Sequence, residues 1–175
     1  TVTSIYQDEF GIIWIGTKDG LNRYNGTDFH IFRPIENDKN SLYNNNIGTI
    51  CGDKNGHIYI RCKYAVVEYD IRKNIFHTIR NNNIQAIDYG NSRLWVCTRD
   101  SLFTYNRKED KLEYYYHLDS VRISCVTEDH EGNLYVGTMN KGLYIIDSNK
   151  KWLNYLPEKD ITCIYEDSKK NTWVG

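Results

Sequence analysis

The sequence predicts an all-β protein of the β-propeller type, built from four-stranded antiparallel blades. Three observations lead to this fold class: a repeat of about 40 residues, four short apolar strands in each copy, and turn residues at fixed places between them. One aromatic residue marks every copy. It recurs at Trp14, Tyr59, Trp95, Tyr135 and Trp173.

Each copy begins with an Ile-x-x-Ile pair, such as Ile47 and Ile50, which predicts the first strand. An Asp follows, with a Gly three residues later, as in Asp8 and Gly11. This spacing predicts a hairpin turn in which the Asp bonds the backbone and the Gly takes a positive φ. The aromatic strand comes next, then a third strand ending near Tyr-Asp or Tyr-Asn. A short fourth strand, such as Phe29–Phe32, closes the unit.

The repeats divide the 175 residues into four complete blades and part of a fifth. We place the blades at approximately 1–34, 45–80, 83–117 and 121–157, with the partial one at 160–175. The chain 1–175 is therefore interpreted as a partial propeller domain, a fragment of a ring for which we expect seven blades. Two copies are irregular: the third is one residue short before Trp95, and the fifth has Lys170 where Gly is expected.

Charge and hydropathy argue against two classes of partner. The chain has 22 basic and 23 acidic residues and a formal net charge of -1, whereas nucleic-acid binders carry a basic excess on one face. No apolar run approaches the roughly 18 residues of a membrane helix. We therefore expect this segment to contact neither nucleic acid nor membrane.

The five cysteines form no C-x-x-C motif, so neither a disulfide framework nor a zinc site is indicated. Cys125 and Cys163 occupy the small position inside the Ile-x-x-Ile pair, which other copies fill with Ser4, Thr49 and Ala86. Free cysteine behaves as a small apolar residue. Both are therefore predicted to be small buried fillers of the first strand.

The remaining chemistry-bearing residues are explained by the blade itself. His30 and His77 follow the Phe of a fourth strand and are expected to be exposed, while His57 and His130 belong to first hairpin turns. One Asp per turn falls far short of the six to eight oxygens that calcium takes. Neither a nucleophile elbow nor a phosphate loop is present. We expect no catalytic residue, metal or cofactor, and thus no enzyme in this segment.

Two copies resemble a known family. The stretch Asp8-Glu-Phe-Gly-Ile-Ile-Trp-Ile-Gly-Thr-Lys-Asp-Gly-Leu-Asn-Arg-Tyr-Asn is similar to two-component regulator propeller repeats. The lead-in Asn40-Ser-Leu-Tyr-Asn-Asn-Asn-Ile and the fourth copy, from Glu128 to Thr138, are similar too. The second and third copies depart from the pattern, because Arg61-Cys62 and Cys97-Thr98 stand where the family has Gly-Thr.

The resemblance implies a function that the residues alone do not give. Such repeats form the periplasmic sensor region of Bacteroidetes hybrid histidine kinases, which are anchored in the inner membrane and control polysaccharide-utilisation genes. The implied ligand is an oligosaccharide, and the implied partners are the remaining blades and a second copy in a homodimer. Kinase activity is not assigned to this chain. The alternative is a propeller scaffold for protein–protein interaction, with no small-molecule ligand.

Ligand-binding residues are expected in the turns after each second strand and in the connections between blades, since loops on a rigid scaffold usually carry function. A sugar requires aromatic faces and fixed polar groups, and positions where the copies differ are not required by the scaffold. Arg61, in a Gly position, is the clearest difference. The predicted ligand-binding residues are Lys18, Tyr43, Asn45, Arg61, Tyr64, Arg99 and Asn140.

Overall fold

The predicted all-β fold is confirmed. The computed structural model describes all 175 residues as strands, turns and connections, without a helix. Four sheets have four antiparallel strands each, and a fifth has two. We call these sheets the first to fifth blades, in chain order. No segment is a helix of the length and apolarity needed to cross a membrane.

The strands of every blade pair in chain order, as an antiparallel meander. The first two blades comprise β1 (Val2–Gln7), β2 (Ile13–Thr17), β3 (Gly20–Tyr24), β4 (Phe29–Phe32), β5 (Ile47–Gly52), β6 (His57–Cys62), β7 (Ala65–Asp70) and β8 (Ile75–Arg80). The third and fourth comprise β9 (Ala86–Gly90), β10 (Arg93–Cys97), β11 (Ser101–Asn106), β12 (Lys111–His117), β13 (Ile123–Glu128), β14 (Leu134–Thr138), β15 (Leu143–Ile146) and β16 (Trp152–Tyr155). The fifth comprises β17 (Ile164–Glu166) and β18 (Thr172–Val174).

The chain divides into two compact units, Thr1–Ile84 and Gln85–Gly175. Each has its own apolar core: Trp14 and Leu42 are fully buried in the first, and Trp95 and Leu102 in the second. Burying one large apolar side chain contributes about 1.5–3 kcal/mol, so these cores supply the main stabilisation of each unit.

The first hairpin turn of a blade is organised by its aspartate, as predicted. In the first blade, Asp8 Oδ1 accepts hydrogen bonds from the N–H groups of Phe10 and Ile12, both at 2.9 Å. Its Oδ2 accepts the indole N–H of Trp14 at 2.8 Å, so the same carboxylate also fixes the buried aromatic residue. Gly11 has φ +78°, the predicted left-handed conformation. Equivalent backbone hydrogen bonds are made by Asp53, Asp129 and Asp167.

The third blade reaches the same hairpin with a shorter turn. Gly90 pairs with Arg93, which leaves a loop of only two residues, Asn91 and Ser92. Both have positive φ, 42° and 64°, which is the type I′ geometry that matches the twist of a tight hairpin. Because no aspartate lies in this turn, the indole of Trp95 donates instead to Glu128 Oε2 of the fourth blade, at 2.8 Å.

The prediction for the cysteines is correct in part. Cys62 and Cys97 are fully buried, and Cys125 is half-buried, with a pKa raised by that burial. Cys163 is exposed, so its prediction as a buried filler is wrong. The physical reason is that this position is covered by a neighbouring segment and not by its own blade: Cys125 Sγ lies 3.9 Å from the carbonyl of Ile161, whereas Cys163 is left exposed.

Histidine positions agree with expectation. His30 and His77 lie on fourth strands and are exposed. His57 closes the first turn of the second blade, where its Nδ1 lies 2.6 Å from Asp53 Oδ2. His130 lies in the corresponding turn of the fourth blade and contacts Glu166 at 3.0 Å.

Candidate functional site

The turn between β6 and β7 of the second blade is held in place by hydrogen bonds to the connections on either side of the blade. It consists of Lys63 and Tyr64, because Cys62 and Ala65 on either side of them pair in the sheet. The N–H of Lys63 donates to the carbonyl of Asn46 at 2.7 Å, and the carbonyl of Tyr64 accepts the N–H of Ile84 at 3.0 Å. The connections before and after the blade therefore hold this turn in place.

A cavity of about 370 Å³ opens beside this turn, within the range of small-ligand sites. It brings together two predicted residues, Arg61 and Tyr64. Lys63 of the same turn also lines it, and the other residues come from the first strands of the first and second blades and from the connection between these blades. The full set is Thr3, Asn46, Ile47, Gly48, Arg61, Lys63 and Tyr64.

Arg61 fits in this blade because Gly48 lies opposite it. In the first blade the same position is Gly16, where an added Cβ would lie 2.6 Å from Ile47 Cγ2, too close for any side chain. In the second blade the empty space is above Gly48 instead, and the guanidinium of Arg61 occupies it. A Cβ on Gly48 would overlap Arg61 Nη2. The arginine and the glycine are therefore complementary changes to the repeat.

The electrostatic environment of Arg61 is unusual. Its Nη1 donates to the carbonyl of Lys63 at 3.0 Å, but its buried Nε has no hydrogen-bond partner. Burial lowers the pKa of the guanidinium, because the charged form loses solvation. No carboxylate lines the cavity. The arrangement thus offers a fixed cation with an unfilled hydrogen-bonding capacity.

Tyr43 lies in a different groove of the same unit. The groove has a volume of about 430 Å³ and lies between the connection from Pro34 to Tyr43 and the outer strand β8. Ser41 holds the connection together, because its Oγ accepts the N–H of Ile35 at 3.0 Å and donates to the carbonyl of Asp38 at 2.9 Å. Next to it, Leu42 is buried in the core, which explains the Ser-Leu lead-in physically.

Lys18 and Asn45 lie together at the turn between β2 and β3, outside the Arg61 cavity. Lys18 is exposed, and the carbonyl of Asn45 accepts the N–H of Gly20 at 2.8 Å. Beside them, Arg33 donates to Asp19 at 2.7 Å, and this hydrogen bond lowers the pKa of Asp19.

In the second unit, Arg99 and Asn140 line one cavity of about 660 Å³. The carbonyl of Arg99 accepts the N–H of Ile123 at 2.7 Å. Asn140 has φ +64°, and its N–H donates to Asp160 Oδ1 at 2.6 Å. The cavity is also lined by Asp100, Ser120, Val121, Arg122, Met139 and Lys141.

Thr3, Lys63, Arg122 and Lys141 also line these cavities but are not among the predicted ligand-binding residues. A usable indication existed for Lys63 and Lys141, because both lie in turns after second strands, where function was expected. For Thr3 the indication was weaker. Thr3 occupies the position in the first strand that the second copy fills with Gly48, and no other copy has a glycine there.

Comparison with known proteins agrees with the repeat pattern. The family model described as two component regulator propeller matches residues 1–19, 117–140 and 155–175. These segments lie mainly in the first, fourth and fifth blades, and most of the two divergent blades falls outside them. A stretch of 42 residues is 43% identical to Histidine kinase P4 of Formosa agariphila, and covers 24% of this chain and 3% of that protein.

Solved structures extend the similarity to the whole chain. The extracellular domain of the hybrid two component system BT3049 from B. thetaiotaomicron matches with a TM-score of 0.82 and 26% identity, over 99% of this chain and 27% of that one. The corresponding domain of BT4673 matches with a TM-score of 0.81 and 21% identity, over 99% of this chain and 26% of that one. Virginiamycin B lyase from Staphylococcus aureus shares the fold alone, with a TM-score of 0.80 and 13% identity over 99% of this chain and 62% of that one.

The chain thus spans about a quarter of the two extracellular domains it matches. Its repeats, its sheet topology and its relatives agree on one assignment. The resemblance drawn from the sequence is confirmed: residues 1–19, 117–140 and 155–175 match two component regulator propeller repeats, and the chain shares the fold of the extracellular domains it resembles.

Proposed function

We propose that this chain is the ligand-sensing part of an extracytoplasmic sensor in a hybrid two-component histidine kinase. The observation that carries the proposal is the 26% identity, over 99% of the chain, to the extracellular domain of such a system. The proposal includes a periplasmic location in a protein anchored in the inner membrane. It also includes further blades of the same propeller and a homodimer of the complete sensor.

The proposed ligand is an oligosaccharide, and the proposed output is control of polysaccharide-utilisation genes. The ring of Tyr64 is 55% exposed beside the Arg61 cavity and offers a flat apolar face for a sugar ring. Arg61, Lys63 and Asn46 surround it with polar groups on a backbone held by hydrogen bonds. An apolar surface with a few fixed polar groups is the usual composition of a small-molecule site.

The seven residues predicted from the sequence remain the proposed ligand contacts, with Arg61 and Tyr64 foremost because they line one cavity. Arg99 and Asn140 form the corresponding pair in the second unit. Binding rather than catalysis is proposed for all of them, because none belongs to a group of acid, base and nucleophile.

The proposal is tested by thermal melting of the purified protein against a panel of oligosaccharides, followed by calorimetry on the glycans that act. A ligand that binds only the native state at 100 times its Kd adds about 2.7 kcal/mol of stability, a readily measured rise in Tm. Tyr64→Ala is expected to reduce the affinity about tenfold through the lost ring contact. The matched control is Tyr114→Ala, a tyrosine 65% exposed on an outer strand, which is expected to change nothing.

Two results would contradict the proposal. One is a panel in which no glycan shifts the Tm. The other is a glycan whose affinity is the same for Tyr64→Ala, Arg61→Ala and Arg99→Ala as for the wild type. If a protein partner then raised the Tm in place of any glycan, the interaction scaffold would be the correct function.

A further inference from the structure

We propose that the Arg61 cavity is a subsite for an oxyanion group, a carboxylate or a sulfate ester, on the oligosaccharide ligand. This inference rests on the proposed function and specifies the chemical class of the ligand. Three features of the second blade carry it: an uncompensated positive charge, a guanidinium that is only partly hydrogen-bonded, and a space that the scaffold does not need.

The positive charge of the cavity has no counter-charge in the protein. Arg61 and Lys63 both line it, no Asp or Glu does, and neither cation forms an ion pair. Other cations of the same unit behave differently, since Arg33 pairs with Asp19 at 2.7 Å and Lys73 with Asp70 at 3.1 Å. A ligand oxyanion would supply the missing negative charge.

The guanidinium of Arg61 is held in place but incompletely bonded. Nη1 is fixed by the carbonyl of Lys63, while Nε is buried without a partner. A buried unpaired donor is costly to the fold, and the lowered pKa of Arg61 reports the same loss of solvation. A planar guanidinium matches the geometry of a carboxylate or a sulfate, and such charge-assisted hydrogen bonds are about twice as strong as neutral ones.

The blade does not require an arginine at this position. The first blade combines Thr3 with Gly16, and the hydroxyl of Thr3 donates to the carbonyl of Ile47 at 2.8 Å. The fourth blade combines Ser124 with Gly137, and the hydroxyl of Ser124 donates to the carbonyl of Ile161. The second blade alone replaces this pair with a glycine and an arginine, Gly48 and Arg61. The change places a cation above the first strand, and the only hydrogen bond it makes within the protein is the one from Nη1 to the carbonyl of Lys63.

The experiment compares three oligosaccharides that differ mainly in charge: maltotetraose, chemically sulfated maltotetraose and tetragalacturonate. Calorimetry on the wild type is expected to show at least one charged probe binding about tenfold or more tightly than the neutral one, with an affinity that falls as salt is added. Whether the sulfated probe or the uronate binds more tightly identifies the source of the oxyanion.

Three variants locate the effect. Arg61→Gly restores the residue of the first and fourth blades and is expected to remove the preference for charged probes. Arg61→Lys keeps the charge without the planar fork and is expected to retain part of it. Gly48→Ala keeps the arginine but displaces its guanidinium, so a loss comparable to that of Arg61→Gly is expected. The Tm of each variant is measured alongside, and Gly48→Ala gives an independent answer if Arg61→Gly does not fold.

The inference would be overturned if charged probes bound Arg61→Gly and Gly48→Ala as tightly as the wild type, or if only neutral glycans bound. In both cases oligosaccharide sensing itself would stand. If neither these probes nor any glycan of the wider panel bound the wild type, the inference and the proposed function would both be wrong.

Discussion

The first and fourth blades keep the repeat, and the second and third depart from it, yet all four form the same four-stranded sheet. In the two regular blades, Gly16 and Gly137 pack so tightly that no side chain fits. The second blade has Arg61 at this place, and the third joins Trp95 to Glu128 of its neighbour. One fold thus accepts several local solutions, and we propose that these departures provide the positions for ligand chemistry.

The largest effect is expected from breaking the turn of a regular blade. Asp8→Ala removes the acceptor for two turn N–H groups and for the buried indole of Trp14. We expect the free energy of unfolding in urea to fall by about 2–4 kcal/mol, because a buried donor is left unpaired. Asp8→Asn keeps a carbonyl oxygen for the turn and should lose roughly half as much. Equal stability of Asp8→Ala and the wild type would show that the turn does not organise the blade.

A reciprocal exchange tests the difference between the regular and the divergent blade. Gly16→Arg places the residue of the second blade into the first, where Ile47 leaves no room, and should cost about 1–3 kcal/mol. Arg61→Gly should change stability by less than about 1 kcal/mol, because the entropy cost of glycine and the lost hydrogen bond to Lys63 are offset by removal of a buried unpaired Nε. Urea unfolding measures both. If Gly16→Arg were tolerated as well as Arg61→Gly, the two blades would not differ in packing.

The smallest effect concerns the divergent third blade. Burial above all, with a contribution from Glu128, raises the pKa of Asp88 to about 6. An unfolded Asp titrates near about 3.9, so the native state binds more protons between about pH 4 and 6, and its stability falls as the pH rises through that window.

Asp88→Asn does not titrate, so its stability relative to the wild type should rise between pH 4 and pH 6 and then level off. Urea unfolding at several pH values, with Asp167→Asn in the first turn of the fifth blade as a control, measures this difference. In that control the carboxyl pKa is lowered to about 2, foremost by the indole N–H of Trp173, so no change is expected in the same window. If the free energy of unfolding changed with pH in the same way for Asp88→Asn and the wild type, the raised pKa of Asp88 would be contradicted.

The sequence was sufficient for those parts of the fold that depend on local chemistry. Residue types with known backbone preferences predict three features: the Asp-x-x-Gly turns, the four strands of each complete blade and the short turn of the third blade. Lys170 illustrates the limit, because it adopts φ +70°, which its place in the repeat indicates but its residue type does not. The burial of Cys163 was predicted wrongly for a different reason, since the side chain at this position is covered by a neighbouring segment, as Ile161 covers Cys125, and this is not visible in the repeat.

The site was predictable only as a set of loops. Arg61 was recognised because it broke the repeat, but its partner Gly48 was not, since a missing side chain carries no obvious chemistry. The grouping of Arg61 with Lys63 and Tyr64, and the position of Tyr43 in a separate groove, depend on packing between distant segments. Such packing is not visible in local spacing.

The most direct measurement is a crystal structure of the protein with the oligosaccharide that raises its Tm most. We expect a carboxylate or sulfate oxygen of the ligand about 3 Å from the guanidinium of Arg61, with a sugar ring against Tyr64. A ligand in the groove of Tyr43 or in the cavity of Arg99, with the Arg61 cavity filled by solvent, would contradict it.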